Sequence, residues 1–150
     1  MDLRSKDYKL VGLQMLLFIL YVFDLKILSL AFPSFIKTVA FIVAILGVVV
    51  LILAMLQLSK NLSPFPSPKT NSELVQSGLY KYVRHPIYTG ILISSFSFAL
   101  ATASGFRILI SILLYILFIA KSEYEEKLLM QRYKEYETYK KRTGRFFPKF

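Results

Sequence analysis

Residues 74–90 read LVQSGLYKYVRHPIYTG and hold the chain's only histidine, His85, together with two glycines, a proline and three tyrosines. These types suit recognition of a small charged molecule. Tyrosine faces attract cations, and an imidazole gives or takes a hydrogen bond near neutral pH. Gly78 permits a backbone turn that a side chain forbids, and Gly90 admits a close neighbour. Pro86 suits the first position of a helix, where its missing N–H costs nothing. His85 then falls at the cap, beside free backbone N–H groups and the positive end of the helix dipole. A lone histidine there is most simply a capping residue. The tyrosines and glycines around it favour a binding site instead.

A second group follows at 121–139, KSEYEEKLLMQRYKEYETY. Lys121 and Glu125 are four apart, hence on one helical face, a spacing that allows them to pair. Glu125 and Glu126 are adjacent carboxylates, which most often mark a solvated helix start. Here they sit where an apolar run ends, among basic residues, and so stand out from their surroundings.

The elements that must position these groups are apolar. Hydrophobic residues make up 55% of the 150-residue chain and the mean hydropathy is +0.54. They fall in blocks rather than as one face per helix. Residues 38–59 contain no charge, and at 1.5 Å per residue they cover about 30 Å, the thickness of a hydrocarbon core. The expected fold is therefore an all-α integral membrane protein forming one domain over 1–150. About four transmembrane helices are expected, at 10–32, 36–58, 87–103 and 106–120. Asp24 and Lys26 interrupt the first. The third and fourth form a hairpin through Ser104–Gly105, which places Glu125 near His85 and Tyr88. A motif loop at 59–86 and a tail at 121–150 with a C-terminal helix complete the scheme. No small-residue cleavage site follows the first apolar run, so a cleaved leader is not expected.

Sixteen of the nineteen Lys and Arg residues lie in the N-terminal arm, the 59–86 loop and the tail. That bias puts both termini and the motif on the cytoplasmic side. It also explains the net charge of +10 through attraction to membrane lipids, so no nucleic-acid partner is expected. The absence of cysteine excludes disulfides and thiolate chemistry, and one histidine gives no basis for a metal site. The alternating prolines of NLSPFPSPKTN (61–71) demand an extended strap along the membrane surface.

Taken in order, PFPSP, LVQSGLYKYVRHPIYTG, EEKLL and YKEYETYKKRTGRFFP resemble the isoprenylcysteine carboxyl methyltransferase family and its relatives among the phospholipid methyltransferases. The resemblance covers residues 64–148. It implies a helical membrane enzyme that uses S-adenosylmethionine in a pocket at the cytoplasmic face. It implies cofactor contacts at Leu74, Val75, Tyr80, His85, Pro86, Tyr88 and Glu125. Lys121 stands where the prenylcysteine enzymes carry a substrate-contacting arginine, and lysine lacks arginine's bidentate fork. Lys121 and Glu126 are the expected substrate-binding residues. Tyr133–Lys134 replaces the family's usual FG dipeptide.

The residues fit that cofactor independently. Tyrosine faces suit its sulfonium, a carboxylate such as Glu125 suits its ribose or ammonium, and His85 suits its carboxylate. No glycine-rich dinucleotide loop is present. A carboxylate acceptor needs no general base, whereas an amine needs one, for which Glu126 or His85 are candidates. No residue is assigned as catalytic. The acceptor is expected to be a lipid or a prenylated small molecule or peptide. O-methylation of a prenylcysteine carboxylate leads, with N-methylation of a phospholipid amine next. An NADPH-dependent sterol-type reductase, which shares an RHPxYxG segment, and a non-catalytic scaffold remain as competitors.

Overall fold

The computed structural model describes residues 4–69 and 72–149. Every regular element among them is helical. In order these are α1 (Ser5–Phe23), α2 (Ser34–Leu58), α3 (Pro86–Ala101), α4 (Gly105–Arg132) and α5 (Tyr136–Arg142), with 3₁₀ turns at Ser59–Asn61 and Gly78–Lys81. α2 and α4 are long and apolar enough to cross a membrane, while α3 is apolar but shorter. Leu16, Ile19, Phe41, Ile45, Ile52 and Ile116 point outward and are exposed, as lipid-facing side chains of a membrane protein must be.

α2 lies along α3, α3 along α4, and α1 against α4. The buried residues of α2 are Ala40, Ala44, Gly47 and Ala54, a stripe of small side chains. In lipid no hydrophobic force draws helices together, so close approach of small residues does that work. A Cβ at Gly47 would lie 2.6 Å from the Ser94 backbone nitrogen, and one at Gly90 would lie 2.6 Å from that of Leu51. Leu17, Leu92, Ile110, Leu114, Leu117, Phe118 and Phe146 form the apolar core.

Two helix ends and the setting of the strap differ from expectation. The first helix ends at Phe23 rather than continuing to 32. Asp24 takes a left-handed conformation (φ 40), accepts the Ser104 hydroxyl and pairs with Arg107 at 3.1 Å. Residues 24–33 then run irregularly to the Pro33 cap of α2 and meet the hairpin turn through Leu30 N–H to Ala103 O (2.8 Å) and Gly105 N–H to Leu28 O (2.8 Å). The fourth helix does not stop at 120 but continues to Arg132, about 42 Å in all, because no glycine or proline interrupts it. The strap does not merely lie on a surface. Its described part walls a cavity, while Thr70 and Asn71 lie outside the described residues.

The helix contacts make a contrast testable in the thermal midpoint of detergent-solubilised protein. Gly47→Ala and Gly90→Ala are each expected to cost about 1–3 kcal/mol through overpacking. Gly12→Ala, where a Cβ meets nothing within 4 Å, should be neutral or stabilising by up to about 1 kcal/mol.

Candidate active site

At the motif end of the bundle, the residue before a proline is disfavoured in the helical region. His85 accordingly sits at φ −124, ψ 60 as the N-cap of α3, with Pro86 as its first residue. The side chain does not cap the helix. It turns instead towards α4, where Nε2 lies 3.2 Å from Glu126 Oε1 and Nδ1 3.7 Å from Glu125 Oε2. Tyr88, one turn on, stacks between His85 (5.4 Å, 8°) and Phe118 (4.6 Å, 9°) and donates its hydroxyl to Glu125 Oε2 at 3.0 Å. Tyr80 is set by the 3₁₀ turn that begins at Gly78. There φ is +59, and the Gln57 side chain fills the space of a Cβ while Gln57 Oε1 accepts from Leu79 N–H at 2.8 Å.

These side chains line a cavity of about 380 Å³, within the usual range for small-molecule sites. Leu74, Val75, Tyr80, His85, Tyr88, Lys121 and Glu125 are all on its wall; Pro86 and Glu126 are not. The strap supplies another wall, from Asn61 to Lys69. Fully buried Asp7 of α1 ties it down, accepting from Ser67 N–H (3.2 Å) and Ser67 Oγ (2.8 Å). The Lys121–Glu125 pair that the spacing allows does not form. Lys121 Nζ reaches across to α1 and the strap, donating to Gln14 Oε1 and to the Pro64 carbonyl (2.8 Å), and sits 5.6 Å above the Tyr88 ring.

Glu126 has a different setting from the one expected. It is 1% exposed and collects cations: Arg84 Nε at 2.8 Å, Lys140 Nζ at 2.8 Å and Arg145 Nε at 3.8 Å. The lysine is close enough to pair in charge but is not aligned for a hydrogen bond. Glu126 does not line the cavity; it lies behind Arg84 and His85, which do, and is reached from the other side by the C-terminal segment. That segment is buckled onto the motif by its backbone. Arg84 N–H donates to Gly144 O (2.9 Å), His85 N–H to Arg145 O (3.1 Å) and Gly144 N–H to Tyr82 O (3.2 Å), while Thr89 Oγ1 donates to Phe146 O (2.8 Å). Arg84 Nη1 also donates to the carbonyls of Lys140 and Thr143.

Two tyrosines of α5 complete the wall. Tyr139 donates to Tyr80 O at 2.6 Å, whereas the buried Tyr136 hydroxyl makes no hydrogen bond among the described residues. Burial pushes the Tyr139 phenol up to about 12, against the pull of Arg84. Burial likewise raises Tyr136 well above its ordinary value, with Glu126 adding to it, and raises Tyr80, with Glu125 adding to it. All three keep their protons at neutral pH and stand as hydroxyl donors.

Sequence reasoning did not single out Asp7, Gln14, Arg84, Tyr136 or the 143–146 segment. A signal for the first two was present: they are seven apart on α1, hence on one face, and Gln14 lies within its apolar stretch, where a polar residue faces protein. Nothing in the spacing of Thr143–Phe146 announces its backbone pairing with the motif.

The family model described as phospholipid methyltransferase matches residues 35–136. The chain is also similar to the solved structure of the eukaryotic intramembrane Ras methyltransferase, isoprenylcysteine carboxyl methyltransferase, determined without a monobody. The TM-score is 0.70 at 20% identity, over 98% of this chain and 54% of that one. The chain thus spans about half the length of that structure, and at this identity the likeness is one of fold. No curated protein gives a significant match.

The charge cluster should dominate the stability of this end. Arg84→Ala leaves Glu126 buried without its best-placed partner and is expected to cost about 3–5 kcal/mol in denaturant unfolding. Arg145→Ala, at a longer distance on a partly exposed side chain, should cost under about 1 kcal/mol. Equal effects would show that the cluster is not the anchor.

Proposed function

We propose, since this chain belongs to the phospholipid methyltransferase family, that it transfers a methyl group from S-adenosylmethionine to a lipidic acceptor, in the manner of the isoprenylcysteine carboxyl methyltransferases. The observation that carries the proposal is the convergence of Lys121, Glu125 and the stacked Tyr88 on one cavity beside membrane helices. In the topology we propose, α1, α2, α3 and the apolar part of α4 are four spans of one domain. The Lys and Arg bias then puts both termini and the cavity in the cytoplasm.

The residues present fit the cofactor. It is a cation with a zwitterionic end, and the cavity offers aromatic faces, a carboxylate and an unpartnered buried hydroxyl at Tyr136. When bound, S-adenosylmethionine supplies an electrophilic methyl on sulfonium. Tyr80 would hold the cation by its face, for about 0.5–2 kcal/mol, while Tyr88, its faces taken by His85 and Phe118, would hold Glu125 through its hydroxyl and line the cofactor's place by its edge. Leu74 and Val75 would pack the apolar parts, and Glu125 would take N–H or O–H donors. Lys121 would orient the acceptor. Its ammonium favours an anionic group, and a carboxylate is already ionised at pH 7 and needs no base. Alignment of acceptor and methyl is then the main work left to the protein.

The family description favours a second acceptor class, the amine of a phospholipid headgroup. A protonated amine meets repulsion from Lys121 and must lose a proton first, so the carboxylate is the better match to this cavity.

S-Adenosylhomocysteine at 100 times its Kd should stabilise the protein by about 2.7 kcal/mol, and Glu125→Ala should abolish most of that shift. No shift in folded protein would sink the cofactor assignment. In transfer assays with labelled methyl, a prenylated cysteine with a free carboxylate should take up base-labile label, and Lys121→Met should lower that uptake. Base-stable label on phosphatidylethanolamine alone would give the activity to the amine class.

A further inference from the structure

His85 is the only histidine in the chain, so the forces on its ring can be read without interference. The ring is held on several sides. Tyr88 stacks on it, Phe146 meets it edge-on at 6.2 Å and 65°, and its backbone nitrogen is tied to Arg145 O. Nε2 points at Glu126 Oε1, 3.2 Å away. That same oxygen receives Arg84 Nε, and Lys140 sits against the other oxygen. A carboxylate under that much positive charge is ionised and can only accept, so Nε2 must carry the proton.

Nδ1 is then the ring's one remaining polar atom. It is directed to Glu125 Oε2 at 3.7 Å, beyond hydrogen-bond reach, and His85 and Glu125 both line the cavity. Glu126 does not line it. Glu125 Oε2 already accepts the Tyr88 hydroxyl at 3.0 Å and has a second lone pair left, while Nδ1 at 3.7 Å makes no hydrogen bond to it, so a donor placed between Nδ1 and the carboxylate satisfies both.

We propose that Glu126 is a positioning residue: by holding Nε2–H it turns the Nδ1 lone pair of His85 towards Glu125, and these two atoms together form a subsite for an N–H or O–H donor of the cofactor. The inference rests on the cofactor reading above and deepens it. The ammonium or ribose hydroxyls suit this subsite. The cofactor carboxylate does not, since it would face an acceptor at each side. Glu126 thus acts through His85 and touches no ligand, and the C-terminal segment enters the site indirectly, as the source of Lys140 and of the Arg145 carbonyl.

The test is the ¹H–¹⁵N spectrum of the single imidazole in ¹⁵N-labelled protein, with S-adenosylhomocysteine affinity measured alongside. The wild type should show one ring proton protected from exchange, on Nε2, with Nδ1 bare. Glu126→Gln removes the counter-charge to Arg84 but keeps an acceptor oxygen, and in folded protein should keep the protected proton and bind more tightly than Glu126→Met. Glu126→Met should lose the protected proton and bind about tenfold more weakly, as loss of a hydrogen bond to a charged group implies. A wild-type proton on Nδ1, or no protected ring proton, overturns the inference without any variant, so a misfolded Glu126→Met does not rescue it. Unchanged affinity in a folded Glu126→Met overturns it as well. Failure of the wild type to bind S-adenosylhomocysteine removes the cofactor subsite together with the cofactor reading, while the ring spectrum still judges whether Glu126 holds His85.

Discussion

A carboxylate with 1% exposure is expensive to keep charged, and Glu126 is tolerable because four side chains from two distant parts of the chain reach it. Arg84 and His85 come from the approach to α3, Lys140 from α5 and Arg145 from the segment after it. Taking away the anion would leave Arg84, itself nearly buried, with no counter-charge, so neither side of the cluster can exist alone. The requirement draws the C-terminal segment back across the end of the bundle. Once there, its backbone pairs with Tyr82, Arg84 and His85, and Phe146 drops between His85 and Tyr115. The cavity wall is thus assembled around a charge that never faces the cavity.

The lipid environment explains why this chemistry is gathered at one end. Within hydrocarbon every backbone polar group must be satisfied inside its own helix, so irregular backbone has to collect where the helices finish. The extended strap, the 3₁₀ turn at Gly78 and the 143–146 segment all do so, and each finds partners in the others or in α1 and α2. In the spans the small residues of α2 let α3 approach to backbone contact. That contact includes Gly90, four residues past Pro86, and so it also sets where His85 and Tyr88 stand relative to α2. Packing and site geometry share a residue there.

The sequence made the helical character, the apolar spans and the hairpin legible, because uncharged runs and prolines act locally and leave little choice. It also showed that His85, Tyr88 and Glu125 would meet, since a tight turn between two helices brings their far ends together. What it hid were consequences of distance in the chain. Lys121 and Glu125 have the spacing of a helical ion pair, yet Lys121 chooses Gln14 and the Pro64 carbonyl, partners 107 and 57 residues away. Glu126 looked as available as its neighbour. One step around the helix turned it from the cavity to the cluster behind it. The stop at Asp24 was visible as a charge in an apolar run, but its αL conformation depends on Ser104 and Arg107, eighty residues on.

The lysine at 121 acquires a physical meaning from those long-range partners. An ammonium has three N–H donors, and two of them are spent on Gln14 Oε1 and Pro64 O. One is left, on a group that lines the cavity and lies over the Tyr88 face. An arginine here would bring a wide planar fork able to grip a carboxylate with two bonds, whereas the lysine has one N–H left to offer. A lysine instead does two jobs with one charge. It ties the strap to α1 and α4, closing the cavity, and presents a single donor to whatever enters.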